Sequence, residues 1–326
     1  MNTTLRQLAL GVTLAVSLAA PPLLVASSDA TFDRNLTVSG PIRLELSNAS
    51  GDVQIKAAAN GAVHIHGDVH SSWSMLGNNE KRAQEVSANP PIEQKGDTIR
   101  VGKNGPHINN ISIKYTIEVP HDTEVIVDIA SGSVFVAGIR APLRTDSASG
   151  AIRIEKIDRD ATISTASGDI TATDLSGYLK ANTASGKITV SGVKGDVRAN
   201  SASGDIRINQ PGARADAQSM SGKVEIWGTS TDTTAQSTSG DVNISGDPGK
   251  SGYWKLQSVS GSVNLGVHPN SAFFLSAESM SGAIHADIPI VIEEQDKHSM
   301  RAHVGNGGAR VEVRSVSGSI NVRSAS

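Results

Sequence analysis

A glycine recurs at a fixed interval through the C-terminal two-thirds of the chain, and in every copy but the first it ends a Ser/Thr-x-Ser-Gly motif. These corner glycines are Gly132, Gly150, Gly168, Gly186, Gly204, Gly222, Gly240, Gly261, Gly282 and Gly318. The first six steps between them are 18 residues, the next two are 21 residues, and the last is 36 residues. A fixed period of this length is the sequence signature of a solenoid, in which each repeat stacks on its neighbours.

Within each repeat, apolar and polar residues alternate as they do in strands that bury one face. Ile152 and Ile154 follow the glycine with Arg153 between them, and a second alternating stretch includes Ala161 and Ile163. A period of two residues is typical of β-strands. The sequence predicts an all-β fold, a parallel β-solenoid with coils of about 18 residues, each holding two short strands and two corners. Crossover handedness favours a right-handed wind.

The repeated serines and glycines are interpreted as corner residues. We expect each glycine to adopt a positive φ, and the Ser and Thr ladders to line the inner corner by bonding to the backbone. A row of serine nucleophiles is the alternative. It is disfavoured because no regularly placed histidine accompanies the serines as a base.

Aspartate follows the motif glycine in some copies, as Asp52, Asp169, Asp205 and Asp241. A calcium-binding nonapeptide repeat would need an aspartate in most copies and a Gly-Gly pair before it. The sequence meets neither condition, so we interpret these aspartates as solvated residues that point outwards.

The composition agrees with a thin core and excludes several functional classes. Only 3% of the 326 residues are aromatic, whereas 32 are glycine. There is no cysteine, which excludes disulfides, thiolate metal sites and a cysteine nucleophile. The net charge of −3 does not suggest a nucleic-acid partner, which requires a concentrated basic face. No segment of the mature chain is apolar over the length of a membrane span.

Residues 1–30 have the pattern of a secretory signal peptide. Arg6 is followed by an apolar stretch from Leu8 to Ala26, and small residues then allow cleavage after Ser27 or Ala30. An uncleaved N-terminal anchor is the alternative, because the stretch is about long enough to span a bilayer. In either case we expect the rest of the chain to work outside the cytoplasm.

Two regions depart from the regular period. Residues 31–130 are predicted to form an N-terminal cap and irregular first coils, with a short helix over residues 78–88. Residues 131–326 are predicted to form the regular solenoid, with one elaborated coil near 283–310. Its charged loop, Ile288 to His298, either binds a partner or packs against the open end.

The Ser-Ala-Ser-Gly-Asp-Ile type of repeat, the signal peptide and the Gly-Asn-Gly-Gly before the last coil resemble a bacterial "putative adhesin" family of β-strand repeats with unknown function. The resemblance covers residues of about 35 to 325. It implies a parallel β-solenoid in an envelope or surface protein. It implies no catalytic residue and no particular ligand.

His64, His66 and His70 are the candidate metal ligands. They alternate along one predicted strand, so neighbouring histidines would project from the same face about 6.5–7 Å apart. A zinc site needs ligands that converge at about 2 Å, with further ligands from elsewhere. The alternative is an exposed polar face opposite the apolar Val63 and Ile65.

An enzymatic site is the other chemical possibility. Polysaccharide lyases and glycoside hydrolases with parallel β-helices use acidic clusters, and glycosidases need two carboxylates about 5–10 Å apart. Asp169 and Asp205 are two coils apart, about 10 Å by strand spacing. Lys187 lies between them, which favours charge pairing along a ladder over a catalytic pair.

The sequence therefore favours a non-enzymatic exported protein, periplasmic or associated with the bacterial cell envelope. Its solenoid surface would serve binding or adhesion, with an envelope protein or polysaccharide as partner. No catalytic residue and no cofactor are expected. The alternatives are a polysaccharide-acting β-helix enzyme, and a scaffold or sensor subunit whose partner docks at the loop of residues 288–298.

Overall fold

The computed structural model describes residues 29–59, 61–71, 79–102 and 111–325. These residues form two long, mostly parallel β-sheets of 14 and 15 strands, here called sheet A and sheet B. The predicted all-β solenoid fold is confirmed. The predicted signal peptide lies almost entirely outside the described residues.

Within the described residues, the N-terminal region contains seven strands and one helix: β1 (Asp29–Thr37), β2 (Arg43–Ser50), β3 (Val53–Ala58), β4 (Ala62–Ser71), α1 (Asn79–Ala88), β5 (Ile92–Lys95), β6 (Thr98–Val101) and β7 (Ile111–Pro120). The central coils contain β8 (Glu124–Ser131), β9 (Val134–Ala137), β10 (Leu143–Ser149), β11 (Ile152–Ile157), β12 (Ala161–Thr165), β13 (Ile170–Leu175), β14 (Leu179–Thr183), β15 (Ile188–Val193), β16 (Val197–Ser201), β17 (Ile206–Asn209), β18 (Ala215–Ser219), β19 (Val224–Thr229), β20 (Thr233–Ser237), β21 (Val242–Gly246), β22 (Tyr253–Ser258) and β23 (Val263–Val267). The C-terminal region contains β24 (Phe273–Ser279), β25 (Ile284–Ala286), β26 (Val291–Gln295), β27 (Ser299–Val304), β28 (Ala309–Ser315) and β29 (Ile320–Ser324).

Each central coil contributes one strand to each sheet, and equivalent positions of successive coils pair in register. In sheet A, Ile152 pairs with Ile170, and Ile170 with Ile188. In sheet B, Ala161 pairs with Leu179 in the same way. The inward members of both sheets are fully buried in one continuous core. Because the core is the narrow space between two facing sheets, Ile, Val, Leu and Ala fill it, and large aromatic side chains have little room.

The N-terminal cap interrupts the chain order of the coils. The coil of Gly51, formed by β2 and β3, lies directly beside the coil of β8 and β9, although 81 residues separate Gly51 from Gly132. Sheet A continues beyond β3 with β7, β4 and β1, and sheet B continues beyond β2 with β6 and β5. Of these strands, β1 precedes Gly51 in the chain and the others follow it. Helix α1 begins at Asn79, as predicted to within one residue, and it packs against β1 and β4.

The C-terminal end also departs from chain order. The coil of β28 and β29 lies between the coil of β22 and β23 and the coil of β24 and β25. The antiparallel hairpin of β26 and β27 extends sheet B beyond β24 and returns the chain to this inner position. The 36-residue step from Gly282 to Gly318 therefore contains the hairpin of β26 and β27 in addition to β25 and β28.

The corner glycines form a continuous ladder, but the reason for glycine differs from the prediction at most of them. Only the first glycines of the stack, Gly51, Gly132 and Gly150, have a positive φ, between 110° and 128°. From Gly168 onwards φ is outside the left-handed region, and close approach decides the residue type. A Cβ on Gly222, for example, would lie 2.0 Å from the carbonyl oxygen of Gly204.

The first hydroxyl of the motif holds neighbouring corners together. Ser219 Oγ accepts a hydrogen bond from the N–H of Gly222 at 2.8 Å and donates one to the carbonyl of Gly204, in the preceding coil, at 3.1 Å. The same pair of bonds recurs at Thr183, Ser201, Ser237, Ser258, Ser279 and Ser315. The predicted structural role of these residues agrees with this geometry, because each one satisfies two backbone groups at the corner.

Candidate functional site

The residue between the two serines of the motif points to solvent and forms a row along one corner of the rod. In stacking order this row reads Ala148, Ala166, Ala184, Ala202, Met220, Thr238, Val259, Val316 and Met280. The second half of the row is large and exposed: Met220 is 63% exposed and Met280 is 70% exposed. A regular corner does not require a side chain larger than alanine, because alanine occupies the same motif position in four coils of this row.

A second row lies beside it on the outer face of sheet B and changes at the same coil. This row reads Asn182, Asn200, Gln218, Gln236, Gln257, Arg314 and Glu278. Asparagine gives way to the longer glutamine in the coil of Gly222, where alanine gives way to methionine in the first row. The side chains of both rows become longer at the same coil, which indicates that the two rows form one surface.

The two rows enclose a groove of about 990 Å³, here called the corner groove. Its lining runs from Asn200 to Met280 and includes the buried serines of the corner ladder. His298 stands at the end of the solenoid, where its carbonyl oxygen accepts the N–H of Ser279. The groove is thus bordered by the terminal hairpin at one end and runs towards the alanine half of the rod at the other.

The lining of the corner groove is suited to binding rather than to bond chemistry. Its walls are thioether, aliphatic and neutral amide groups, and its charged groups, Glu278 and Arg314, lie 3.4 Å apart as an ion pair at the closed end. The hydroxyls of its serines are engaged with backbone at the corner, as at Ser219. A serine held in this way between two backbone groups lacks the adjacent base that would activate it.

The aspartates that follow the motif glycine are not simply solvated, which corrects the prediction. Asp169 Oδ1 accepts the backbone N–H of Lys187, and Asp205 Oδ1 accepts that of Lys223, at 2.8 and 2.9 Å. Asp52 and Asp241 make the equivalent bonds to Ser133 and Ser262. Each aspartate satisfies a backbone donor at the corner of the next coil.

A second set of aspartates does the same at the opposite corner, in the alternate coils. Asp160 accepts the N–H of Tyr178, Asp196 that of Arg214, and Asp232 that of Tyr253. The two sets alternate along the rod, so neighbouring coils are tied at one corner and then at the other. The proposed carboxylate pair of Asp169 and Asp205 belongs to this scaffold, since both side chains hold backbone.

Histidines His64 and His66 meet one carboxylate on the outer face of the cap. Asp33 Oδ1 lies 2.9 Å from His66 Nδ1 and 3.5 Å from His64 Nε2. The other ring nitrogen of His66 lies 3.2 Å from Asp68 Oδ1. His70 lies further along β4, opposite Asp29 of β1. In the described part of the chain, no group of three or more His, Asp or Glu residues is arranged to hold a metal ion.

The surroundings of His66 favour its charged form. A hydrogen bond to Asp33 raises the pKa of His66, burial opposes this, and Asp68 raises it further. Both ring nitrogens of a histidine are donors only when the ring is protonated, and each faces a carboxylate here. When the ring of His66 is protonated, its contact with Asp33 is an ion pair that ties β1 to β4.

This arrangement predicts a pH-dependent contribution to stability. Because the pKa of His66 is higher in the folded state, its contribution is fully present below the unfolded value of about 6.5 and is lost as the pH rises through the folded value. We expect His66→Gln to lower the urea midpoint at about pH 5.5 and to change it little at about pH 9. The loss in the free energy of unfolding at about pH 5.5 should be under about 1 kcal/mol, because the pair is surface-exposed. An equal loss at both pH values would contradict the ion-pair assignment. His285→Gln, on the outer face of β25, is the control.

The segment of residues 288–298 begins against the core and is exposed from residue 291 to residue 298, so its packing on the open end stays a prediction. Ile288 and Ile290 pack against the core, and Met300 and Ala302 of β27 are buried. Val291 and Ile292, on the edge strand β26, are 57% and 46% exposed. A binding role for this segment stays a prediction.

The corner groove is not among the sites predicted from the sequence, although its signal is present in the chain. Aligning the coils on their glycines places larger residues in the column that holds alanine up to Ala202: Met220, Thr238, Val259, Met280 and Val316. The hydrogen bonds of the aspartates could not be found in this way, because they join residues of different coils.

Across the described ranges, no helix combines the length and apolar character of a membrane span.

Comparison with known proteins agrees with the architecture. The family profile of Toastrack DUF4097 matches residues 30–227 and again 213–323. A search of the curated proteins found no match. Among solved structures, a "putative cell adhesion protein" from Clostridium sporogenes ATCC 15579 is similar at 10% identity and a TM-score of 0.22, over 91% of this chain and 100% of that chain. A "putative adhesin" from Bacteroides fragilis NCTC 9343 is similar at 13% identity and a TM-score of 0.34, over 90% of this chain and 96% of that chain.

Identities and TM-scores this low support no argument about the function of this chain, and its placement follows from the family match. The two matched ranges overlap and together cover nearly all of the described residues. The resemblance that the repeat motif suggested is confirmed. The chain belongs to the Toastrack DUF4097 family.

Proposed function

We propose that this protein is a non-enzymatic, exported protein of the bacterial cell envelope that binds an extended polypeptide segment in the corner groove. The observation that carries the proposal is the joint change of two rows at the coil of Gly222, which turns a flat corner into a groove of about 990 Å³. The signal-peptide pattern of residues 1–30 supports export. Adhesion to a partner protein is the function that such a groove serves.

The lining favours a polypeptide over a polysaccharide. Exposed apolar side chains in a continuous patch mark protein contacts, and methionine adapts its shape to different partners. The glutamine side chains beside them offer amide donors and acceptors to a peptide backbone. The groove spans six coils, about 24 Å, which matches about seven residues of extended chain.

A non-enzymatic role is supported by the use of the polar side chains. The motif serines and the corner aspartates, which are the groups that a hydrolase or lyase would recruit, hold backbone in neighbouring coils. A carboxylate whose oxygen already accepts a backbone N–H of the next coil is held at that corner, and this does not suit a group that must reach a substrate.

The proposal is tested with a library of seven-residue peptides displayed on phage. We expect the full chain to select peptides rich in apolar residues, and a synthetic selected peptide to bind at least tenfold more weakly to the Met220→Asp and Val259→Asp variants. Fluorescence anisotropy of the labelled peptide measures the affinity.

Ala166→Asp is the matched control, because it places the same charge at the same motif position in the alanine half of the row. It should leave the affinity unchanged. If no peptide is selected, or if the groove variants bind as tightly as the unmodified chain, the groove does not bind polypeptide.

A further inference from the structure

A second surface departs from the regular coil, on the outer face of sheet A. In one row of this face, Trp227 pairs with Ser245, Ser245 with Gly266, and Gly266 with Arg323. The neighbouring row holds Asn243, Asn264 and Asn321, in the same strands as Ser245, Gly266 and Arg323 respectively. These seven residues are here called the Trp227 trough.

Trp227 forms one end wall of the trough. The corresponding residues of the two preceding coils are Ser191 and Asn209, so the solenoid does not need an aromatic side chain here. The indole is nevertheless 40% exposed, and it stands beside Ser245, whose side chain is small. An exposed indole next to a shallow floor offers an apolar plane on which a flat ligand can stack.

The floor of the trough is kept open by a glycine that the backbone does not require. Gly266 lies within β23 and its φ is outside the left-handed region. A Cβ there would lie 3.3 Å from the Cβ of Ser245 and 3.7 Å from that of Ala325, and would project into the trough. Glycine weakens a strand interior, so its presence marks a place where something approaches closely.

One side of the trough is a hydrogen-bonded row of amides. Asn264 Nδ2 donates to Asn243 Oδ1 at 2.7 Å, and Asn321 Nδ2 donates to Asn264 Oδ1 at 2.9 Å. An amide has two donors and an oxygen with two lone pairs. Within this row Asn264 therefore keeps one donor and one lone pair for a ligand, held in a fixed orientation by its neighbours.

The charges around the trough are largely compensated. Glu225 precedes Asn243 in the amide row, is buried, and pairs with Arg207 and Lys223 at 2.5 Å. At the other end, the exposed Arg323 lies 3.9 Å from Asp287. A neutral ligand with many hydroxyls fits this balance better than a strongly charged one.

We propose that the Trp227 trough binds a short neutral saccharide, with one sugar ring stacked on the indole and hydroxyls bonded to the asparagine amides and to Arg323. The trough has a volume of about 410 Å³. It spans three strand spacings, about 14 Å, which suits two or three sugar units. An indole plane beside a few fixed polar groups is the usual composition of a small-ligand site. This site and its ligand class are separate from the corner groove, so either proposal can fail without the other.

The test is a titration of the full chain with maltotriose, cellotriose and tri-N-acetylchitotriose, followed by tryptophan fluorescence and by calorimetry. We expect at least one trisaccharide to bind with a dissociation constant near or below about 1 mM. Stacking should shift the emission of Trp227. Trp254 is fully buried and should not contribute to the shift.

Two variants locate the binding. Trp227→Ala should weaken it at least tenfold, and Gly266→Leu should do the same by filling the floor while leaving the indole in place. Ser191→Leu, in the same row two coils before Trp227, is the matched control and should bind as the unmodified chain does. Circular dichroism of each variant shows whether the solenoid is intact.

The proposal is overturned if none of the three trisaccharides binds at about 10 mM, or if binding survives both trough variants. Loss of binding in the Ser191→Leu control would likewise overturn it, because the effect would then not be specific to the trough. Peptide binding in the corner groove should be the same in all three variants.

Discussion

Gly222→Ala is expected to lower the free energy of unfolding by about 3 kcal/mol or more, since overpacking against atoms that cannot move is among the costliest core changes. The added Cβ would lie 2.0 Å from the carbonyl oxygen of Gly204, 2.4 Å from its carbonyl carbon and 2.8 Å from the backbone nitrogen of Asp205. All three are backbone atoms of the adjacent coil. The clash can be relieved only by separating two paired coils.

The measurement is urea unfolding followed by circular dichroism, together with the thermal midpoint. Because stability in a solenoid comes from contacts between nearest-neighbour coils, the loss should appear as a lower midpoint or as a separate early transition of one half of the rod. Gly61→Ala is the control: its φ is ordinary and its nearest neighbour, the carbonyl oxygen of Val38, is 4.0 Å from the added Cβ. Equal midpoints for Gly222→Ala and Gly61→Ala would refute the close-approach explanation of the glycine ladder.

Ser219→Ala is expected to cost about 1–3 kcal/mol, because it leaves two buried backbone groups without a partner. The hydroxyl of Ser219 serves the N–H of Gly222 and the carbonyl of Gly204. Alanine fits the space of serine, so the loss reports hydrogen bonding rather than packing.

The chain contains its own control for this prediction. Ser147 occupies the same motif position before Gly150, but in the described structure its buried hydroxyl oxygen has no hydrogen-bond partner. At that corner Gly150 has a φ of 125°, and the backbone follows a different path. Ser147→Ala should therefore leave the urea midpoint unchanged or raise it slightly. If both serine variants lose the same stability, the hydroxyl ladder is not what stabilises the corners.

Several features of the fold could be predicted because they depend on residues close together in the chain. Alternation around Ile152 and Ile154 is a property of one strand, and the 18-residue step to Ile170 repeats it in the next coil. The helix at Asn79–Ala88 was likewise a local prediction. The reason for the glycines was predicted wrongly at most corners, because the atom that excludes a Cβ belongs to another coil.

The candidate sites follow the same division. The chain itself contains the columns of Met220 and Val259 and of Asn243 and Asn264, which become visible once the coils are aligned. That the methionine column and the glutamine column enclose one groove depends on how the corner turns. That Trp227 faces Ser245 and Gly266 depends on the pairing of β19, β21 and β23. The sequence indicates which residues are unusual, and the pairing decides which of them meet.

The sequence by itself determined the period, the inward face of each strand and the two corners of each coil, since these follow from the spacing of glycine and apolar residues. Only the tertiary structure decided the order of the coils. The coil of Gly51 is placed beside that of Gly132, and the coil of Gly318 between those of Gly261 and Gly282. The inward residues of these strands are chemically interchangeable, as Val263, Ile320 and Ile284 show. Local pattern therefore cannot rank their pairings, and the packing of the two end caps selects one order.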